Sequence, residues 1–313
     1  MIYFNLFAFL LLLKIEACKP DTTSVKVEGK TDLIEQTPEE KPKVPVIKDW
    51  EKVSELPDVL TECSGMISID GNKYLGHNDS GNKPYLYEFS GKSGDPVRVI
   101  KVVNVKNNDW EDIAADDNYI YVGDSGNNGG TRKNLMIYRI LKKDVQLKNE
   151  VTAEIIKFSY AGQTKFKDSN RHNFDCEAMI VKGDSLFLFS KNRGDFRTDV
   201  YGMPKVPGDY TVSPMGSYDS DGLITGADFR INGLNGELVL VGYEIHGKAV
   251  YPFILHFPEV DGSKFLEGEV HRKVHRKVLQ TESIIFSGQN KVWVSNEEED
   301  GSEGYIYQVG LEN

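Results

Sequence analysis

The stretch Glu111–Tyr138 opens with Glu111-Asp112-Ile113-Ala114, continues through Ile120-Tyr121-Val122-Gly123-Asp124 and ends in Leu135-Met136-Ile137-Tyr138. Each piece is a short run of β-branched and aromatic residues, and Gly, Asn and Asp lie between the pieces, which is the pattern of three consecutive strands. The same phrase recurs on both sides. Before it come Ser64-Gly65-Met66-Ile67, Tyr74-Leu75-Gly76-His77-Asn78-Asp79 and Tyr85-Leu86-Tyr87-Glu88-Phe89. After it come repeats opening at Glu177, Thr225 and Glu282, with second strands at Leu186–Ser190, Leu238–Gly242 and Val292–Asn296. A fourth strand follows most repeats, at Val97–Val103, Ala153–Tyr160 and Gly268–Val278, and less clearly at Tyr210–Tyr218. No helix-period apolar pattern is seen. The repeat starts at 64, 111, 177, 225 and 282 are separated by 47, 66, 48 and 57 residues. Four-stranded units repeated five times predict an all-β, five-bladed β-propeller. A sixth blade within the 66-residue interval would be cramped. The fifth repeat runs out of chain, and Val46–Leu56 is placed to supply its outer strand, an N-terminal closure that removes the last open edges.

The remainder of the chain reads as an address and a tether. Ile2–Leu13 is an apolar run of signal-peptide length ending at Ile15-Glu16-Ala17-Cys18. This resembles the lipobox of bacterial lipoproteins, which implies lipidation of Cys18; ordinary cleavage near Ala17 with a free Cys18 is the alternative. Residues 18–45 are rich in Lys, Glu, Thr and Pro and too poor in apolar side chains to order themselves. The expected organisation is a signal peptide over 1–17, an anchor and flexible tether over 18–45, and the propeller over 46–313. That places a monomeric protein in the bacterial cell envelope, at the outer membrane or cell surface, in contact with the membrane only through its lipid. With 37 Lys and Arg against 48 Asp and Glu, the net charge of -11 argues against nucleic acid as a partner and suits a cation site or plain solubility. Cys63 and Cys176 occupy equivalent places in non-adjacent repeats, so two buried free thiols are expected rather than a disulfide.

Propeller closure gives the repeats a chemical meaning. The first strand of each blade lines the central channel, and its start shares a face with the end of the second strand. Ser64, Glu111, Glu177, Thr225 and Glu282 would then crowd one mouth, with His77, Asp79, Asp124 and Arg193 nearby. Bare carboxylates in such a ring repel one another, and oxygen-only donors suit Ca²⁺. Water and backbone amides could instead satisfy each carboxylate separately, or raised pKa values could do so without a metal. Arg193 could clamp an oxyanion or pair with a neighbouring Asp; His77 could act as acid, base or ligand, or be satisfied within its hairpin. Gly123-Asp124-Ser125-Gly126 looks like a protease nucleophile segment, but Asp79-Ser80-Gly81-Asn82 repeats it one blade earlier, which marks a turn. Asp219-Ser220-Asp221-Gly222 lacks the twelfth-position Glu of an EF-hand and reads as a loop. His271–Lys277 reads as a charged outer strand.

The channel segments Ser64-Gly65-Met66, Asp109-Trp110-Glu111-Asp112, Asp175-Cys176-Glu177, Thr225-Gly226-Ala227 and Thr281-Glu282-Ser283 resemble those of the calcium-activated nucleotidases, the apyrases. That resemblance spans about residues 46–310, with Thr225 where that family has Ser. It implies Ca²⁺ around Ser64, Glu111, Glu177, Thr225 and Glu282, Asp79 and Arg193 near phosphates, and hydrolysis of nucleotides or phosphate esters. His77–Gly81, Asp109–Ala114 and Gly123–Asn127 are also similar to bacterial exported propellers of unsettled function. Expected partners are a small anionic ligand or another protein. The alternative to an enzyme is a binding propeller with structural Ca²⁺. A carbohydrate-binding role, suggested by the many strand aromatics, competes with their packing between blades.

Overall fold

A computed structural model describes residues 50–233, 235–297 and 303–312. The signal peptide, Cys18, the tether and residues 46–49 lie outside the described residues. Strand β1 (Glu51–Glu55) leads into blade 1, formed by β2 (Cys63–Asp70), β3 (Lys73–Asn78), β4 (Tyr85–Ser90) and β5 (Pro96–Val102). Blade 2 contains β6 (Trp110–Ala115), β7 (Tyr119–Asp124) and β8 (Leu135–Leu141); helix α1 (Lys142–Leu147) and the short β9 (Glu150–Val151) then precede its outer strand β10 (Ala153–Tyr160). Blade 3 has β11 (Cys176–Lys182), β12 (Ser185–Ser190) and β13 (Thr198–Pro204), followed by β14 (Gly208–Val212) and β15 (Pro214–Tyr218). Blade 4 is β16 (Leu223–Asn232), β17 (Asn235–His246), β18 (Ala249–Val260) and β19 (His271–Val274); blade 5 is β20 (Thr281–Gly288), β21 (Lys291–Asn296) and β22 (Tyr305–Gly310).

The five sheets form a closed ring. Inner strands β2, β6, β11, β16 and β20 each pack against the next, and β20 returns to β2. Apolar side chains fill the wedges between neighbouring blades rather than one central core. Phe187, Phe189, Leu238 and Phe253 fill the wedge between blades 3 and 4, while Met66, Phe89, Ile285 and Ile306 fill the wedge that closes blade 5 on blade 1. Each such side chain removed from water contributes about 1.5–3 kcal/mol. β1 completes blade 5, pairing antiparallel with β22 from Glu51↔Gln308 to Glu55↔Tyr305. Trp50 holds that closure by stacking on His275 at 4.9 Å. The strand aromatics are mostly internal: Trp110 is fully buried, and Tyr74 and Trp293 meet at 4.9 Å across the blade 5–1 junction.

Two expectations about outer strands are corrected. Residues 210–218 do not form one outer strand: β14 joins blade 2 in parallel with β10, from Ile156↔Gly208 to Tyr160↔Val212, and only β15 completes blade 3 on β13. Ser213 separates the two runs, and Pro214, which has no N–H for a ladder, stands at the start of β15. The 66-residue interval holds α1, β9 and an irregular segment at 161–175, not another blade. β9 likewise lies parallel on β5, so both edges are covered by a neighbour's chain. On β19, Arg272 pairs with Glu244 of its own blade at 2.7 Å, while Lys273 Nζ donates to the Gly310 carbonyl at 3.2 Å and ties blade 4 to blade 5. Cys63 and Cys176 are buried free thiols, pushed up to about 12 by burial.

Candidate metal centre

Each inner strand carries one β-bulge near its start. The ladder register skips one residue between Cys63 and Gly65, between Trp110 and Asp112, between Cys176 and Ala178, between Ile224 and Gly226, and between Thr281 and Ser283. The five residues skipped are Ser64, Glu111, Glu177, Thr225 and Glu282. A bulge places an unpaired residue on one strand and re-aims its side chain. The repeated positions read from the sequence are therefore equivalent in local geometry, and all five are buried.

Their side chains make different contacts. Thr225 Oγ1 donates to the Thr281 carbonyl at 2.6 Å, and Ser64 Oγ donates to the Glu62 carbonyl at 3.4 Å. Lys191, buried at the end of β12, donates to Glu177 Oε2. Burial alone would drag the Lys191 ammonium down; Glu177 foremost, with Tyr243 and Glu282, holds it above its ordinary value. The chain itself thus supplies Glu177 with a cation, within electrostatic reach of Glu282.

Carboxylates from blades 1, 2 and 3 converge at the mouth in two overlapping groups: Asp79, Asp109 and Glu111, and Glu111, Asp175 and Glu177. Within each group one oxygen per residue lies within 4.8 Å of the others. Glu111 belongs to both, and its buried Oε1 has no hydrogen-bond partner. Burial, then the charge of Glu177, pushes the Glu111 carboxyl well above the usual carboxylate range. Burial, then Asp79, pushes Asp109 up to about 6. Asp79, less buried at the rim, is also raised, chiefly by desolvation. Glu177 is raised by burial against the pull of Lys191. Backbone comes unusually close here: a Cβ on Gly126 would overlap Glu111 Oε1 and fall 2.5 Å from Asp109 Oδ2. Glycine at 126 is thus required by close approach, whereas Gly81 in the matching motif has φ +77° with open space around it. The turn reading holds for Gly81 and fails for Gly126.

The remaining candidates separate. Arg193 Nε lies 3.3 Å from Asp175 and its Nη2 3.5 Å from Glu177, with Asn128 Oδ1 also engaged, so its charge is spent on carboxylates. His77 is fully buried edge-on to Trp110 at 5.5 Å, and a Cβ on Gly65 would fall 2.6 Å from its Nε2. Burial pushes its imidazole down to about 4, and its Nδ1 lies 3.2 Å from the Asn78 carbonyl. Asp124 is also removed from the mouth: it accepts from Arg132 Nη2 at 2.7 Å, Asn108 Nδ2 at 2.5 Å, Tyr138 Oη at 2.8 Å and the Asp109 N–H at 3.1 Å. Sequence alignment pairs Asp124 with Asp79, but the ladder pairs Asp124 with Trp110 and Asn78 with Cys63, which makes Asn78 its true counterpart. A one-residue offset reverses the direction of a strand side chain.

Asp109, Asp175 and Lys191 escaped the sequence reading. A signal for the first two existed: Asp109-Trp110-Glu111 and Asp175-Cys176-Glu177 place an acid two residues before the bulge in adjacent blades, and a spacing of two returns a side chain to the same face. Five carboxylates face Lys191, Arg193 and Arg132, which lies 3.8 Å from Asp109 and is shared with Asp124, leaving an excess of negative charge that protons or a hard cation would relieve. Oxygens bound to one Ca²⁺ at about 2.3–2.6 Å stand no more than about 5 Å apart, so the donor set fits such an ion.

No family model matches the chain, and no curated protein matches it. Among solved structures it is similar to the catalytic domain of a Coprinopsis cinerea GH62 α-L-arabinofuranosidase, at 13% identity over 85% of this chain and 98% of that one, with a TM-score of 0.49. It is similar to a Penicillium chrysogenum α-L-arabinanase complexed with arabinobiose, at 8% identity over 85% and 99% of the two chains, with a TM-score of 0.46. It also matches hydrazine synthase from Kuenenia stuttgartiensis, at 11% identity and a TM-score of 0.39, where it covers 82% of its own length and spans only 65% of that chain. These likenesses carry no activity or ligand across to this chain.

Proposed function

We propose that the chain is an exported, lipid-anchored propeller that binds Ca²⁺ between blades 1, 2 and 3 and, through it, a small anionic ligand. Asp109, Glu111, Asp175 and Glu177 would hold the ion, with Asp79 at the rim. The observation that carries this reading is Glu111 Oε1, a buried carboxylate oxygen without a partner where two carboxylate triads overlap. When bound, the ion would neutralise the cluster and offer an electrophilic site to an oxyanion. Arg193 and Lys191 orient Glu177 and Asp175 rather than face the ligand, which favours binding over phosphoester hydrolysis. Hydrolysis is the second reading, favoured by Asp79, whose raised pKa and partial exposure suit a group that takes a proton from water.

Purified mature protein is to be melted with CaCl₂ and with chelator. Saturation at about 100 times Kd stabilises by about 2.7 kcal/mol, a rise of roughly 5–10 °C for a domain of this size. Glu111→Gln abolishes that rise. No shift with Ca²⁺, Mg²⁺, Mn²⁺ or Zn²⁺ refutes the metal centre. Phosphate release from a nucleoside diphosphate in Ca²⁺, lost in Asp79→Asn, decides for hydrolysis. The anchor is tested separately: Cys18→Ser moves the protein from the membrane to the soluble fraction, and unchanged fractionation rejects lipidation.

A further inference from the structure

The irregular segment 161–175 is the long connection of the ring, running from the outer strand of blade 2 to the inner strand of blade 3, and it ends at the acidic mouth. Irregular connections of this length are uncommon in compact domains and are usually either functional loops or linkers. This one is held in place. Gln163 Nε2 donates to the Gly130 carbonyl at 2.9 Å, and Ser169 N–H donates to the Gly129 carbonyl at 3.0 Å. His172 Nδ1 accepts from Phe174 N–H at 3.1 Å, so its proton lies on Nε2, which is 3.0 Å from the Asn128 carbonyl. Both ring nitrogens are spent on fixing the segment.

The fixed segment walls a cleft of about 800 Å³ whose lining includes Phe174 and Gly194, the chain neighbours of Asp175 and Arg193. Volumes of roughly 300–1,000 Å³ are those of small-molecule sites. The wall carries Lys165, Lys167 and Arg171, all exposed and, among the described residues, without an ion-pair partner, on a protein of net charge -11. Two acids also line the cleft. Asp195 is engaged by Asn173 Nδ2 at 2.7 Å and the Arg197 N–H at 3.1 Å, and Asp168 turns back onto Gly129, where a Cβ would fall 2.8 Å from its Oδ1.

We infer that this cleft is a second anion subsite, and that the ligand class is an elongated small molecule with two phosphate-type groups, one on the cation and one on Lys165, Lys167 and Arg171. The inference rests on the proposed metal centre for its first contact and on the cleft alone for its second. The probes are hexane-1,6-diyl bisphosphate and hexyl monophosphate, titrated calorimetrically into Ca²⁺-loaded protein, with Ca²⁺ binding measured first by itself. The bisphosphate is expected to bind at least tenfold tighter than the monophosphate, since the second contact is intramolecular. The K165Q/K167Q/R171Q variant is expected to lose that advantage while its Ca²⁺ affinity and melting temperature stay within error. Equal binding of the two probes by the wild type, or an advantage that survives in the variant, overturns the subsite. Absent Ca²⁺ binding overturns the metal centre instead, and bisphosphate binding that is then still lost in the variant supports the cleft independently.

Discussion

Asp109→Asn isolates the electrostatic cost of the carboxylate cluster. Asp109 is pushed from 3.8 to about 6 by burial and by Asp79, so the folded chain holds this proton more tightly than the unfolded chain. For a raised carboxylate pKa, the stability gained from protonation is complete below the unfolded value and lost as pH rises through the folded one. Asn mimics the protonated acid at every pH. In chelator the variant should therefore exceed the wild type by about 1 kcal/mol at pH 4.5 and by about 3 kcal/mol at pH 7.5, at 1.36 kcal/mol per unit. Other groups, such as the buried neutral His77, titrate in both proteins and cancel in the difference. Urea unfolding followed by tryptophan fluorescence reads the effect directly, since Trp110 adjoins the substituted residue. Saturating Ca²⁺ should reverse the order at pH 7.5, because the ion replaces the proton in the wild type and loses a donor in the variant. Stability curves of the two proteins that run parallel from pH 4.5 to 7.5 in chelator would refute the reasoning.

Two further outcomes follow from contacts at the mouth. Gly126→Ala forces the Glu111 and Asp109 carboxylates apart; the overpacking should cost about 1–3 kcal/mol and remove Ca²⁺ stabilisation, both read by melting with and without the ion. Lys191→Met leaves Glu282 buried without its cation and Glu177 with Arg193 alone; the expected loss is about 3–5 kcal/mol in urea unfolding at neutral pH, shrinking in acid as those carboxylates protonate.

The strand phrases and their five-fold recurrence were legible because both are local properties: alternation sets which side chains face a neighbouring blade, and repetition of one unit implies that its copies close on each other. The N-terminal closing strand, the two unpaired thiols and the equivalence of Ser64, Glu111, Glu177, Thr225 and Glu282 all follow from that, and the common bulge is its structural expression. What those positions do was decided in three dimensions. Thr225 donates to a carbonyl of the next blade, and Lys191 pairs with Glu177 across its own hairpin, because hydrogen-bond and charge partners are set by ladder register and through-space distance. Asp124 lost its place at the mouth because a single-residue offset between sequence alignment and ladder register turned it into the blade. Asp109 and Asp175 joined Glu111 because a bulge and a bare Gly126 let three carboxylates and a backbone approach more closely than any spacing along the chain could reveal.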